Sequence, residues 1–309
     1  MLIKTEYDIQ FNLSMPTPMM AMLHLHPSLD SQVKAGNDLK VERIDRETKT
    51  DVPVSEYYDV FGNRCTRFMA PFGSIRLSGN SVVEMEAAPD SINAHAQQAP
   101  VEKLPSEVLQ FLLASRYCEV DQFGPISQDL FGHMTPGWTR ASAIRDWVHQ
   151  KVTFNYMTAR STKTAMDVFA ERVGVCRDYQ HLAITLSRCQ NIPARYVTGY
   201  LGDIRAPYSG AGDFSAWYEV FLDGRWMTMD ARHNEPRIGR VLMATGRDAA
   251  DVALTTSFGN AALTNFYVDS YEVLEDGTTV PSLPGTVPQA AIVTSANRSS
   301  AGAIQGFAE

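Results

Sequence analysis

The stretch "GDFSAWYEVFLDGRWMTMDARHN", residues 212–234, decides the fold. It predicts two strands joined by a turn at Asp223–Gly224, the second strand ending at Asp230. Upstream lies "GVCRDYQHLAITLSRCQNIPARYVTGYL", residues 174–201, which predicts a helix from about Cys176 to Cys189, a stop at Pro193 and a buried strand. Helices that precede an antiparallel sheet point to an α+β domain.

Cys176 stands at that helix start, after the flexible Gly174. A thiol there faces unpaired backbone N–H groups and the positive end of the helix dipole, which favour the thiolate. The same N–H groups can hold an oxyanion. On spacing alone, plain packing of a buried cysteine is the first explanation of a lone Cys. Cys65, Cys118 and Cys189 are widely spread, form no CxxC pair and read as free packing thiols.

The bulk numbers narrow the classes. A chain of 309 residues suggests two domains, and 44% hydrophobic with 20% charged residues is ordinary for a globular protein. A net charge of −8 with mixed signs argues against a nucleic-acid binder, and no glycine-rich phosphate loop is present. The N-terminus "MLIKTEYDIQFNLS" alternates polar and apolar residues rather than forming a leader, and no apolar run is long enough for a membrane span. The expected address is cytoplasmic.

Four parts are expected. Residues 1–86 show period-two patterning with regular turns, as in an antiparallel β-sandwich, with a hairpin at "DVFGNRCTRF". His24 and His26 alternate with Leu23 and Leu25 and are expected on an exposed strand face rather than on a metal. Residues 87–134 form a linker with a helix at "PSEVLQFLLASRYCE"; residues 135–275 form the core, opening with an amphipathic helix in which His149 lies off the apolar stripe; residues 276–309 form a Pro/Ser/Ala/Gly-rich tail.

The two quoted stretches together resemble the bacterial transglutaminase-like superfamily, a group with many candidate cysteine proteases. The likeness is strongest over roughly residues 135–235, and the N-terminal strands resemble that family's β domain. The resemblance implies a papain-like core and a Cys–His–Asp triad, with no metal and no organic cofactor. Cys176 matches the nucleophile and Asp230 the orienting acid. The family's histidine stands immediately before Ala–Trp, and here that position is Ser215.

A serine hydroxyl cannot accept a proton at neutral pH, and losing such a group costs ~10²–10⁴ in rate. His233 and His181 are the candidate replacements. On a straight strand His233 lies on the face opposite Asp230, about 10 Å along, and returns only if "ARHNEPR" bends sharply. His181 is about 140° round the helix from Cys176 and reads as a packed histidine, whereas Gln180 faces the Cys side. "DARHN" stands where the family more usually has "DPT", which resembles one branch of it. Trp217 and Trp226 suit groove walls or core. Arg232, Arg237, Arg240 and Arg247 suit surface ion pairs, or a clamp for a peptide-like substrate in which Arg232 is the candidate. Two functions stay open: a thiol enzyme acting on amides of peptide or protein substrates, by hydrolysis or acyl transfer, and an inactive module that binds a peptide or protein partner.

Overall fold

The computed structural model describes residues 1–46, 48–207 and 214–283. Most of the expected tail lies outside the described residues. In β1 (Leu2–Leu13) every second side chain is buried, from Ile3 to Leu13, which is what alternation predicts for a strand with one face on a core. β1 pairs antiparallel with β8 (Gly73–Glu84) and β16 (Ala261–Val273); β4 (Lys40–Asp45) follows β8, β5 (Thr48–Asp51) follows β4, and β3 (Val33–Gly36) also pairs with β8. The second sheet has the order β15 (Thr255–Ser257), β2 (Thr17–Ala21), β7 (Arg64–Ala70), β6 (Val54–Tyr58). Ile9, Phe11 and Leu77 of the first sheet share one buried cluster with Met19, Ala21 and Phe68 of the second. The β6–β7 hairpin forms where expected, with Gly62 at φ +83° in its turn.

Residues 255–273 do not follow the expected boundary at 275. β16 runs beside β1 from Leu13↔Ala261 to Leu2↔Val273, so the sandwich is completed by strands that follow the core in sequence. His24 is not on an exposed face either. It is 2% exposed, with Nδ1 at 2.9 Å from Asn37 O and Nε2 at 2.8 Å from Thr66 Oγ1, because β2 ends at Ala21 and the chain turns inward. The helix expected from Pro105 is a 3-10 segment, Ser106–Leu112.

The core sheet has the order β13 (Arg225–Met229), β12 (Phe214–Leu222), β11 (Ala194–Leu201), β14 (Arg240–Gly246). Four helices accompany it: α1 (Val120–Phe131), α2 (Trp138–Lys151), α3 (Ala165–Glu171) and α4 (Cys176–Cys189). α1 occupies what reads as linker in the sequence. α4 is central: every residue from Arg177 to Arg188 is buried. Its polar side chains are tied inside. Arg188, for example, donates to the carbonyls of Ala194 and Leu113, at 2.8 and 2.9 Å. The two β units are not separate bodies of packing: Tyr200, Phe214 and Val241 of the core sheet enter the sandwich cluster, and Asn63 bonds both ways with Thr245 at 2.8 Å.

Candidate active site

Cys176 is the first residue of α4, as the sequence predicts. The short parallel pair β9 (Thr153–Phe154) and β10 (Val173–Gly174) leads into it. Gly174 is required here by a close approach: a Cβ would lie 2.7 Å from Asp178 Cβ. Asp178 in turn caps the helix, accepting from Val175 N at 3.0 Å. Burial pushes the Asp178 carboxyl up, partly offset by Arg177, whose guanidinium lies 3.2 Å from it.

The four thiols separate by environment. Cys65 and Cys118 are buried, and burial pushes them up to about 11 and about 12; Cys189 is likewise pushed up to about 11. Such thiols stay protonated at neutral pH. Cys176 is half-buried at the helix end.

The chain does bend after Asp230. Asp230 Oδ1 accepts from the backbone N–H of Arg232 at 3.0 Å and of His233 at 3.1 Å, and Asn234 N bonds back to Asp230 O at 3.0 Å with Asn234 at φ +56°. That side-chain-to-backbone turn is a natural property of Asp. It brings the imidazole back, and His233 Nδ1 lies 2.9 Å from Asp230 Oδ2. The straight-strand expectation therefore fails at this point, because the strand ends at Met229. His149 is exposed, as expected, but its Nδ1 pins the same turn, 2.9 Å from Arg232 O and 3.2 Å from Ala231 O.

Two ties hold this turn at the Cys176 end of α4. Gln180, one turn along from Cys176, donates to Asp230 Oδ1 at 3.2 Å and to Ala216 O at 3.1 Å, and accepts from Ala231 N at 3.2 Å. Phe154, paired with Gly174 two residues before Cys176, carries the Arg232 guanidinium over its ring at 4.1 Å.

Asp230 is 4% exposed. Burial alone would raise its carboxyl, but the His233 hydrogen bond and the Arg240 charge hold it well below the usual carboxylate range. Arg240 donates to Asp230 Oδ2 at 2.9 Å and to Asp90 Oδ2 at 2.8 Å. Asp90 lies in the expected linker, and nothing local in the sequence marks it as part of this site.

The other candidates land differently. Ser215 is half-buried on β12, opposite Gly199. Trp217 is 2% exposed beneath the Arg240 guanidinium, 5.1 Å from its ring, so it is no groove wall. Gln180 is fully buried and holds Asp230 rather than facing a ligand. Trp226 packs edge-on to Phe111, ring centroids 5.2 Å apart. His181 is fully buried, stacked on Tyr117 at 4.9 Å with Nε2 accepting from Ala249 N at 3.1 Å, the packed histidine expected. Arg232 is half-buried beside His233.

Comparison with known proteins agrees with this architecture. The family model described as the transglutaminase-like superfamily matches residues 126–231. A solved structure of a candidate cysteine protease from Cytophaga hutchinsonii is 29% identical, with TM-score 0.77, covering 93% of this chain and 94% of that one. The uncharacterized protein ML0607 of Mycobacterium leprae is 28% identical over 207 residues, 64% of this chain and 73% of that protein. The helix-start cysteine and the strand-end aspartate both lie within residues 126–231, so the part of the chain that carries the site is a transglutaminase-like domain.

Proposed function

We propose that this protein is a thiol enzyme acting on amide bonds of peptides or peptide-like molecules, with His233 replacing the histidine absent at position 215. The observation that carries it is the 2.9 Å contact between His233 Nδ1 and Asp230 Oδ2. With its Nδ1 proton donated to the carboxylate, the imidazole presents Nε2 as the base, the tautomer a thiol triad needs.

In this reading Cys176 passes its thiol proton to His233 Nε2, and the sulfur attacks the acyl carbon. Backbone N–H groups of the first turn of α4 stabilise the oxyanion. The C–N bond breaks, the amine leaves with the proton from the imidazolium, and a Cys176 thioester remains. Water completes hydrolysis; a second amine completes acyl transfer. Asp230 stabilises the imidazolium, while Gln180 and Arg240 position Asp230.

Ser215 favours a second reading, an inactive module that keeps the fold to bind a peptide or protein partner. The two separate in one experiment with p-nitrophenyl acetate. The enzyme reading expects an acetyl thioester on Cys176 by mass spectrometry, absent in Cys176→Ser and slowed by ~10²–10⁴ in His233→Ala. No adduct on Cys176 leaves the binding reading.

A further inference from the structure

The four arginines that follow Asp230 divide by partner. Arg237 lies 3.1 Å from Asp203, Arg240 lies 2.8 and 2.9 Å from Asp90 and Asp230, and Arg247 lies 2.9 Å from Asp251. All three are ion-paired, but Arg237 and Arg240 are buried and not at the surface as expected of such a segment. Arg232 makes no ion pair with any carboxylate among the described residues. Its Nη1 sits 3.2 Å from Nε2 of His233, and its guanidinium carbon lies 4.1 Å from the Phe154 ring centroid.

The backbone of Arg232 is fixed at both ends. Its N–H donates to Asp230 at 3.0 Å and its carbonyl faces His149 at 2.9 Å. Among the described residues the side chain is held only by an imidazole lone pair and the face of a ring. A half-buried guanidinium on a fixed backbone beside the base, without a carboxylate of its own among the described residues, is suited to an incoming one: its planar fork matches a carboxylate bidentately.

We infer that Arg232 reads a carboxylate on the substrate, so that the acyl group taken by Cys176 belongs to a peptide-like molecule carrying a free carboxylate beside the scissile amide. This rests on the thiol-enzyme reading above. The contact with His233 gives recognition a consequence. Arg232 caps the lone pair that must accept the thiol proton, and a bound carboxylate draws the guanidinium away and uncovers Nε2. A neutral substrate finds Nε2 uncovered only while the single Arg232 contact is broken, so it reacts more slowly, and a cationic one is repelled.

Two alkylating reagents of similar size test this without a known substrate: iodoacetate, a carboxylate, and iodoacetamide, its neutral amide. The rate ratio of iodoacetate to iodoacetamide at Cys176, with Cys176→Ser as blank, is compared with the ratio for glutathione. The expected ratio exceeds the glutathione value by about tenfold, the worth of one charge-assisted contact. It falls to the glutathione value in Arg232→Gln and is partly kept in Arg232→Lys. Arg160→Gln, which removes an exposed cation paired to Glu171 at 2.6 Å, leaves the ratio unchanged and excludes a general field effect. A Cys176 that reacts readily with iodoacetamide but shows the glutathione ratio overturns the carboxylate inference and leaves the thiol reading standing. A Cys176 inert to both reagents overturns both.

Discussion

Arg240 lies 2.9 Å from Asp230, on the same carboxylate oxygen that holds the His233 imidazole. Both partners are nearly buried, with side chains 7% and 3% exposed, and Asp90 holds the guanidinium through Nε at 2.8 Å. Asp230 is thereby fixed by an arginine that itself depends on a residue 150 positions away.

Removing one partner of a buried pair strands the other. Asp230→Asn is expected to destabilise the fold by about 3–5 kcal/mol, because the Arg240 charge stays buried with half its compensation gone. A double-mutant cycle of Asp230→Asn with Arg240→Gln in urea unfolding checks it. A coupling energy near zero contradicts a direct pair.

Acid should weaken the protein in two windows. Asp230 has its folded-state carboxyl held below the unfolded value, so its stabilisation is present above about pH 4 and is lost as pH falls through the folded value. His181 acts higher. Burial first, then the charges of Arg177 and Arg188, push its imidazole well below the ordinary ~6.5. The unfolded chain takes up that proton first, so stability declines as pH drops below ~6.5, by up to ~1.4 kcal/mol per pH unit for this one group. His24, also pushed down chiefly by burial, adds to the same slope. Urea midpoints from pH 8 to pH 5 should fall for the native chain and fall less steeply for His181→Gln.

Native-state alkylation should find one cysteine. Cys65, Cys118 and Cys189 carry thiols pushed up to about 11 to 12 by burial. Brief iodoacetamide treatment at pH 7 followed by peptide mass mapping is expected to label Cys176 at least ~100-fold faster than the others. Comparable labelling of Cys118 would place it at the surface, against the packing found.

Gly174→Ala tests how Cys176 is mounted. The added Cβ would meet Asp178 at 2.7 Å and displace the carboxylate that caps α4. A loss of about 1–3 kcal/mol is expected, with slower Cys176 alkylation than stability alone explains.

Local rules made part of this legible in the sequence. The limits of α4, with Gly174 before it and Pro193 after, follow from terminus chemistry, and the β12–β13 hairpin follows from Gly224 at φ +73°. That a serine, Ser215, stands directly before Ala–Trp is read from the sequence alone. His233 was nameable but not placeable, because an Asp side chain turning the backbone at 230–233 overrides strand periodicity. Pairings made at long range leave no local mark. β16 looks like any core strand until it meets β1, and Asp90 looks like linker until it meets Arg240. α1 was hidden by Gly124 and Pro125, residues that argue against a helix, within the range of a packed one. Trp217 and Gln180 carried the right proximity and the wrong exposure, since alternation predicts a face and not what covers it.

The central claim is that His233 serves Cys176. Its most direct test is the iodoacetamide rate at Cys176 from pH 5 to pH 9, in the native chain and in His233→Ala, with Cys176→Ser as blank. The account predicts a native profile whose midpoint lies well below the ~8.5 of a free thiol and moves up toward it in His233→Ala. A midpoint near ~8.5 that the substitution leaves in place contradicts it, and leaves Cys176 an ordinary thiol in a transglutaminase-like fold.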